Sequence, residues 1–236
     1  RYLRAGEGRL SVRTCREGEK DLPGLDTAAS AGGTRREWIA SGVGNRESVA
    51  PGTGSRSLAP AARDSLVERL TDYYLSRRDV AFAPVPKSMA LMLDQPYSGA
   101  FLRAYPKFNG LIWAYHWLQV GLYEPLVTEA TAPARRAGVD AAVATFRAMI
   151  PRDFPVSMPM TPQVAPTFTA RHPRAAAIFD NLHSLHNIIS DILLSDVVPP
   201  DNKRAAIEAA LEEFRDGTRN VMSDEAWRAP AAHHAH

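Results

Sequence analysis

The stretch GLIWAYHWLQVGLY, residues 110–123, decides the fold class of this 236-residue chain. It is apolar on every side of a helix, a pattern typical of a helix that other helices surround. It has only 14 residues and includes His116 and Gln119, so it is too short and too polar to cross a bilayer. The stretch therefore predicts the buried central helix of a soluble protein without a membrane span.

Apolar residues at helical spacing continue on both sides of this stretch, and no segment shows the alternation of a strand. Prolines and capping residues divide the pattern into separate helices. The predicted helices are Pro60 to Arg78, a short one from Lys87 to Leu93, the central one from about residue 97 to Val127 with a break at Pro106, Gly138 to Ile150, Pro173 to Asp196, and one between Asp201 and Gly217. We therefore predict an all-α bundle of about five helices, a four-helix core with one helix laid across it.

Proline and glycine mark the segments outside these helices. Six prolines between residues 151 and 173 predict a long proline-rich loop between the third and fourth helices, and loops of this length often cover a binding site. Residues 1–60 hold ten of the 15 glycines, and only Tyr2 and Trp38 are aromatic. Such a segment cannot bury enough apolar surface to offset its ordering entropy. We predict that residues 1–56 are disordered or non-native, that 57–217 form the bundle and that 218–236 are a C-terminal tail.

Composition narrows the classes of function. The net charge is +2, and no cluster of Lys and Arg is interleaved with aromatics, so nucleic-acid binding is not expected. The single cysteine, Cys15, excludes an internal disulfide and a multi-cysteine zinc site. A cytoplasmic location is the default expectation. The sequence starts with Arg1 and its first methionine is Met89, so an upstream segment with an export signal stays an open alternative.

Histidines in two predicted helices form the candidate site. The string DNLHSLHNIISD, residues 180–191, places His183 and His186 on one side of the fourth helix, and His116 lies in the central helix. If these two helices are neighbours, the three imidazoles converge. Asp180, Asp191 and Glu124 lie close enough in the pattern to complete the site or to orient a ring. Three nitrogens and a carboxylate suit iron, zinc or manganese, so one hypothesis is a metal-binding or redox bundle.

The alternative gives the same histidines a structural role. Histidines on amphipathic helices commonly hydrogen-bond inside a core, and the chain is then a non-catalytic helical module. An exposed apolar stripe would bind a protein partner or a second copy of the chain. The aromatic set of the central helix also allows a small ligand in the bundle interior. In neither hypothesis does His172, placed in the proline-rich loop, take part in the fold.

Overall fold

The computed structural model describes residues 58–229, apart from the side chains of 151 and 152, so the expected disorder of residues 1–56 lies outside the described part. Within it the chain forms ten α-helices and one 3-10 helix, and its only β-pairing is an isolated bridge between Lys87 and Val221. The all-α prediction is confirmed. None of the helices in this part of the chain is both long enough and apolar enough to cross a membrane.

The start points of the helices follow the positions of the prolines in the sequence closely. In chain order they are α1 Pro60–Ser76, α2 Ala90–Leu93, α3 Ala100–Ala104, α4 Pro106–Thr128, α5 Ala132–Arg152, α6 Thr161–Val164, α7 Pro166–Arg171, α8 Pro173–Leu194, the 3-10 turn Pro200–Asn202, α9 Lys203–Arg215 and α10 Asp224–Arg228. Five of these are long, namely α1, α4, α5, α8 and α9. Proline stands in the first two positions of α1 and α4 to α8, where its missing N–H costs no helical hydrogen bond.

Helix α8, rather than α4, is the centre of the fold. It packs against α1, α2, α3, α6, α7 and α9. Helix α4 forms an antiparallel hairpin with α5, and the two approach so closely that a Cβ on Gly138 would lie 2.3 Å from the Cβ of Pro125. The prediction that α4 is enclosed on every side is wrong, because Phe108 and Tyr115 are each 55% exposed. One face of α4 is therefore apolar and open.

The proline-rich segment is only partly irregular. Residues 153–160 lack helix, as predicted, but α6 and α7 follow before α8 begins. Each is too short to show a helical period in the sequence, so proline density alone concealed both. Met158 and Met160, which flank Pro159, are buried in the hydrophobic core.

The C-terminal boundary predicted at residue 217 is too early. Trp227 in α10 is 2% exposed and belongs to the hydrophobic core. The backbone between α9 and α10 is also anchored, since buried Lys87 donates hydrogen bonds from Nζ to the carbonyls of Asp216 and Arg219. The folded part therefore continues at least to Arg228, and residues 218–228 are not a tail.

Candidate functional site

The two helices that carry the predicted histidines do touch. The imidazoles of His116 on α4 and His183 on α8 are stacked, with ring centroids 3.9 Å apart and planes inclined by 25°. A second contact joins the same helices, since Trp113 donates a hydrogen bond from Nε1 to Oδ1 of Asn187 at 3.3 Å. The two helices are therefore neighbours, as the metal hypothesis requires.

Stacking, however, is a poor geometry for shared ligation. A metal ion lies about 2 Å from a ligating nitrogen and in the plane of its ring, and two stacked rings have nearly parallel planes. Both nitrogens of His183 also have partners, Nδ1 with the carbonyl of Phe179 at 2.8 Å and Nε2 with the amide of Gln119 at 3.0 Å. The Gln119 atom that faces Nε2 is the amide oxygen Oε1, so a neutral ring donates to only one of its two oxygen partners at a time. His183 is thus part of a hydrogen-bonded network.

His186 does not join this pair. It is exposed on α8, one turn beyond His183, and lines a surface groove with it. Burial lowers the pKa of His183 against the raising effect of the Phe179 carbonyl, and the nearby charge of His186 lowers it further. The predicted trio is therefore a stacked pair with a separate, solvent-facing third histidine.

The carboxylate of Asp180 caps a short helix. It is fully buried and accepts hydrogen bonds from the backbone N–H of Thr161, at 3.0 and 3.2 Å to its two oxygens, and from the Thr161 hydroxyl at 2.6 Å. Trp227 adds a bond from Nε1 at 2.7 Å. Because Thr161 is the first residue of α6, Asp180 satisfies an amide that has no partner inside that helix.

Glu124 and Asp191 have the same role at two other helices. Glu124 accepts from the backbone N–H groups of Thr167 and Phe168 in the first turn of α7, each at 3.0 Å. Asp191 accepts from the N–H groups of Gly99 at 3.1 Å and Phe101 at 2.8 Å, at the start of α3. The φ of +73° at Gly99, a conformation that favours glycine, belongs to the same turn.

All three carboxylates predicted as ligands therefore hold the N-termini of short helices. Their oxygens already accept hydrogen bonds from protein donors. In agreement with this, residues 58–229 contain no group of three or more His, Cys, Asp or Glu side chains placed to hold a metal ion. The donor set proposed from the sequence does not form a metal site in this geometry.

The buried side chains of His116 and Asp180 lie close together without a hydrogen bond between them. Nε2 of His116 lies 3.9 Å from Oδ1 of Asp180, and neither ring nitrogen has a partner. Burial, together with the charge of His183, lowers the pKa of His116 well below its ordinary value. Burial raises the pKa of Asp180 to about 7, although the bonds from Thr161 and Trp227 oppose it. Asp180 therefore favours its neutral, protonated form below about pH 7, and His116 is neutral near pH 7.

Sequence reasoning missed a charged cluster at His172. This residue, 1% exposed, lies between α7 and α8 with Nδ1 at 3.1 Å from Glu68 and Nε2 at 3.2 Å from Asp64. Arg174 pairs with Glu68 at 2.7 Å and with Asp72 at 2.8 Å. The prediction that His172 has no part in the fold is wrong. The signal was the spacing of the acids, which recur every fourth residue on α1.

An open groove of about 420 Å³ lies between α4 and α8. Its lining is apolar except for one amide and two imidazoles, and comprises Phe108, Leu111, Ile112, Tyr115, Gln119, Leu182, His183 and His186. The residues from α4 recur at intervals of three and four, so they form one stripe along the helix. Tyr115 and Leu182 (43% exposed), which stand at apolar positions of the predicted helices, lie at this groove and not inside the core.

Comparison of the chain with protein-family models, with characterised proteins and with solved structures gave no match.

Proposed function

We propose that this chain is a non-catalytic helical module that associates with a second copy of itself through the groove between α4 and α8. One observation carries the proposal. The α4 stripe from Phe108 to Tyr115 faces the groove at helical spacing, and its aromatic rings are half exposed in the part of the chain that the structure describes. A continuous apolar stripe beside a second helix is the surface that an amphipathic helix binds.

The composition of the groove favours a protein occupant. Contiguous exposed apolar surface is rare on proteins that act alone and is typical of interfaces. Aromatic residues such as Phe108 and Tyr115 are enriched where proteins associate. A two-fold contact between copies is the commonest form of association and brings the same stripe of each copy together.

The hypothesis of an iron, zinc or manganese site has one observation in its favour, the contact between His116 and His183. The remaining geometry argues for a structural role of the histidines. Asp180, Glu124 and Asp191 cap helices, and His186 stands apart on the surface. A buried network of this kind fixes how α4 and α8 pack, and therefore shapes the groove between them.

Sedimentation equilibrium of the full chain tests the proposal over concentrations up to about 100 µM, the range of weak but specific complexes. We expect a concentration-dependent dimer in the wild type. Tyr115→Glu and Leu182→Glu should be monomeric, because each places a charge in the interface. Val156→Glu is the matched control, since Val156 is 80% exposed and lies outside the groove, and it should associate like the wild type.

Circular dichroism and urea unfolding of each variant establish that it is folded. Because both groove residues are substantially exposed in the monomer, their replacement should change its stability little. A wild type that stays monomeric throughout, or groove variants that dimerise as well as Val156→Glu does, would reject self-association through this groove.

A further inference from the structure

Helix α1 is attached to the body by few apolar contacts. Thr71 is its one buried residue, while Leu66 and Leu70 are 36% and 54% exposed. An opening of about 310 Å³ lies between α1 and the helices beneath it. Its apolar lining includes Val67, Leu70 and Tyr74 of α1 and Phe168, Ile178 and Leu182 of the body. The packing under α1 is therefore apolar but incomplete.

Charged contacts hold the other side of α1. Three acids spaced four residues apart, Asp64, Glu68 and Asp72, face two basic side chains of the body, His172 and Arg174. Both nitrogens of His172 face carboxylate oxygens, and both can donate at once only in the doubly protonated ring. The bonds from Arg174 and His172 lower the pKa of Glu68. The attachment of α1 is thus chiefly electrostatic.

We propose that the surface beneath α1 is a receptor for acidic amphipathic helices and that α1 is its occupant within the same chain. The charge pattern specifies the occupant. Such a helix carries carboxylates at positions i, i+4 and i+8, which pair with His172 and Arg174. Its apolar residues occupy the positions of Val67, Leu70 and Tyr74 and fill the opening. This inference does not rest on the proposed function, although Leu182 lines both the groove and the opening beneath α1.

Three features make exchange of the occupant physically reasonable. The acids are 39% to 64% exposed, so salt and solvent weaken their pairs with the body. The apolar residues of α1 leave space that another helix can fill. Beyond these contacts α1 is held by a bond from Arg63 to the Leu126 carbonyl and one from the Phe82 amide to the Tyr74 hydroxyl.

The test uses a fluorescent peptide with the sequence of residues 58–77, added to the full chain. Its matched control carries Asn, Gln and Asn in place of the three acids. The receptor is the double variant Asp64→Asn/Asp72→Asn, whose own α1 competes less for the surface. We expect the acidic peptide to bind this variant about tenfold more tightly than the wild type, because a more often vacant site raises apparent affinity.

The control peptide should not bind the variant, and 1 M salt should abolish binding of the acidic one. Equal binding of the two peptides, or binding of neither, would overturn the proposal.

Hydrogen exchange of the chain without peptide gives a second, independent readout. Amides of α1 should exchange faster in the double variant, while those of α8 keep their wild-type rates, because α1 detaches separately. Glu208→Gln, which removes an exposed ion pair with Arg204 on α9, is the control and should leave α1 unchanged. If the exchange rates of α1 and α8 rise together in the double variant, or if the rates of α1 stay at their wild-type values, α1 is not an exchangeable occupant.

Discussion

Replacing Asp180 by asparagine should alter the pH dependence of folding in a defined direction. Its carboxyl group is fully buried, and burial raises its pKa from 3.8 to about 7. Between these values the folded state binds a proton that the unfolded state has released. The free energy of unfolding therefore falls as pH rises from about 4 to 7 and is level above 7.

The size of the effect follows from the same pKa shift. Between pH 5 and about pH 7 the folded state binds one proton more than the unfolded state. Over these two pH units the free energy of unfolding falls by about 3 kcal/mol, at 1.36 kcal/mol per unit. Asparagine has no such titration. The cost of Asp180→Asn should thus be about 3 kcal/mol larger at pH 5 than at pH 8, where the wild type carries a buried charge.

Two histidines act in the opposite direction in the wild type. Burial lowers the pKa values of His116 and His183, so the unfolded state binds more protons below about pH 6.5 and stability falls as pH decreases there. Both histidines are present in the variant as well. Comparing the two proteins at each pH therefore reports the contribution of Asp180 together with its contact to His116.

Urea unfolding of the full chain at pH 5 and pH 8 measures this difference. Asp94→Asn, at an exposed carboxyl, is the control and should show the same stability change at both pH values. A cost of Asp180→Asn that is equal at pH 5 and pH 8, or larger at pH 8, would refute the assignment of a raised pKa to this buried group.

Three further predictions follow from the same structure. Trp227→Ala should lower the free energy of unfolding by about 3 to 5 kcal/mol in urea unfolding, because it empties a core position and removes a donor to Asp180; a negligible cost would mean that residues 218–228 are a tail after all. Glu124→Gln should cost about 1 to 2 kcal/mol in thermal or urea unfolding through the loss of the α7 cap, and an unchanged stability would contradict that role. Elemental analysis should give well below about one equivalent of iron, zinc or manganese per folded chain, whereas stoichiometric metal that disappears in His183→Ala would restore the metal hypothesis.

The long helices were predictable because their signals are local. Apolar spacing and opening prolines are contained within each segment: α1 and α8 begin at the predicted prolines, and α4 begins at Pro106, where a break in the central helix is predicted. Exposure was not predictable to the same degree. Tyr115 and Leu182 carry the pattern of core residues, but only the arrangement of α4 against α8 shows that they border an open groove. A helical period locates an apolar face without showing whether another element covers it.

The misassigned carboxylates have a different physical cause. The first four N–H groups of any helix lack partners within it, and in α6, with four residues, this first turn is the whole helix. A fold with several short helices therefore needs acceptors from elsewhere, and Asp180, Glu124 and Asp191 supply them from α8 and α4. In sequence these acids stand near histidines, so they resemble ligands, while the amides that they bind are 19 to 92 residues away. The short helices require these acids as hydrogen-bond acceptors, so the role of each acid can be assigned only when the helix it caps is known. Carboxylates in such a protein thus indicate a metal site only after the helix N-termini around them have been accounted for.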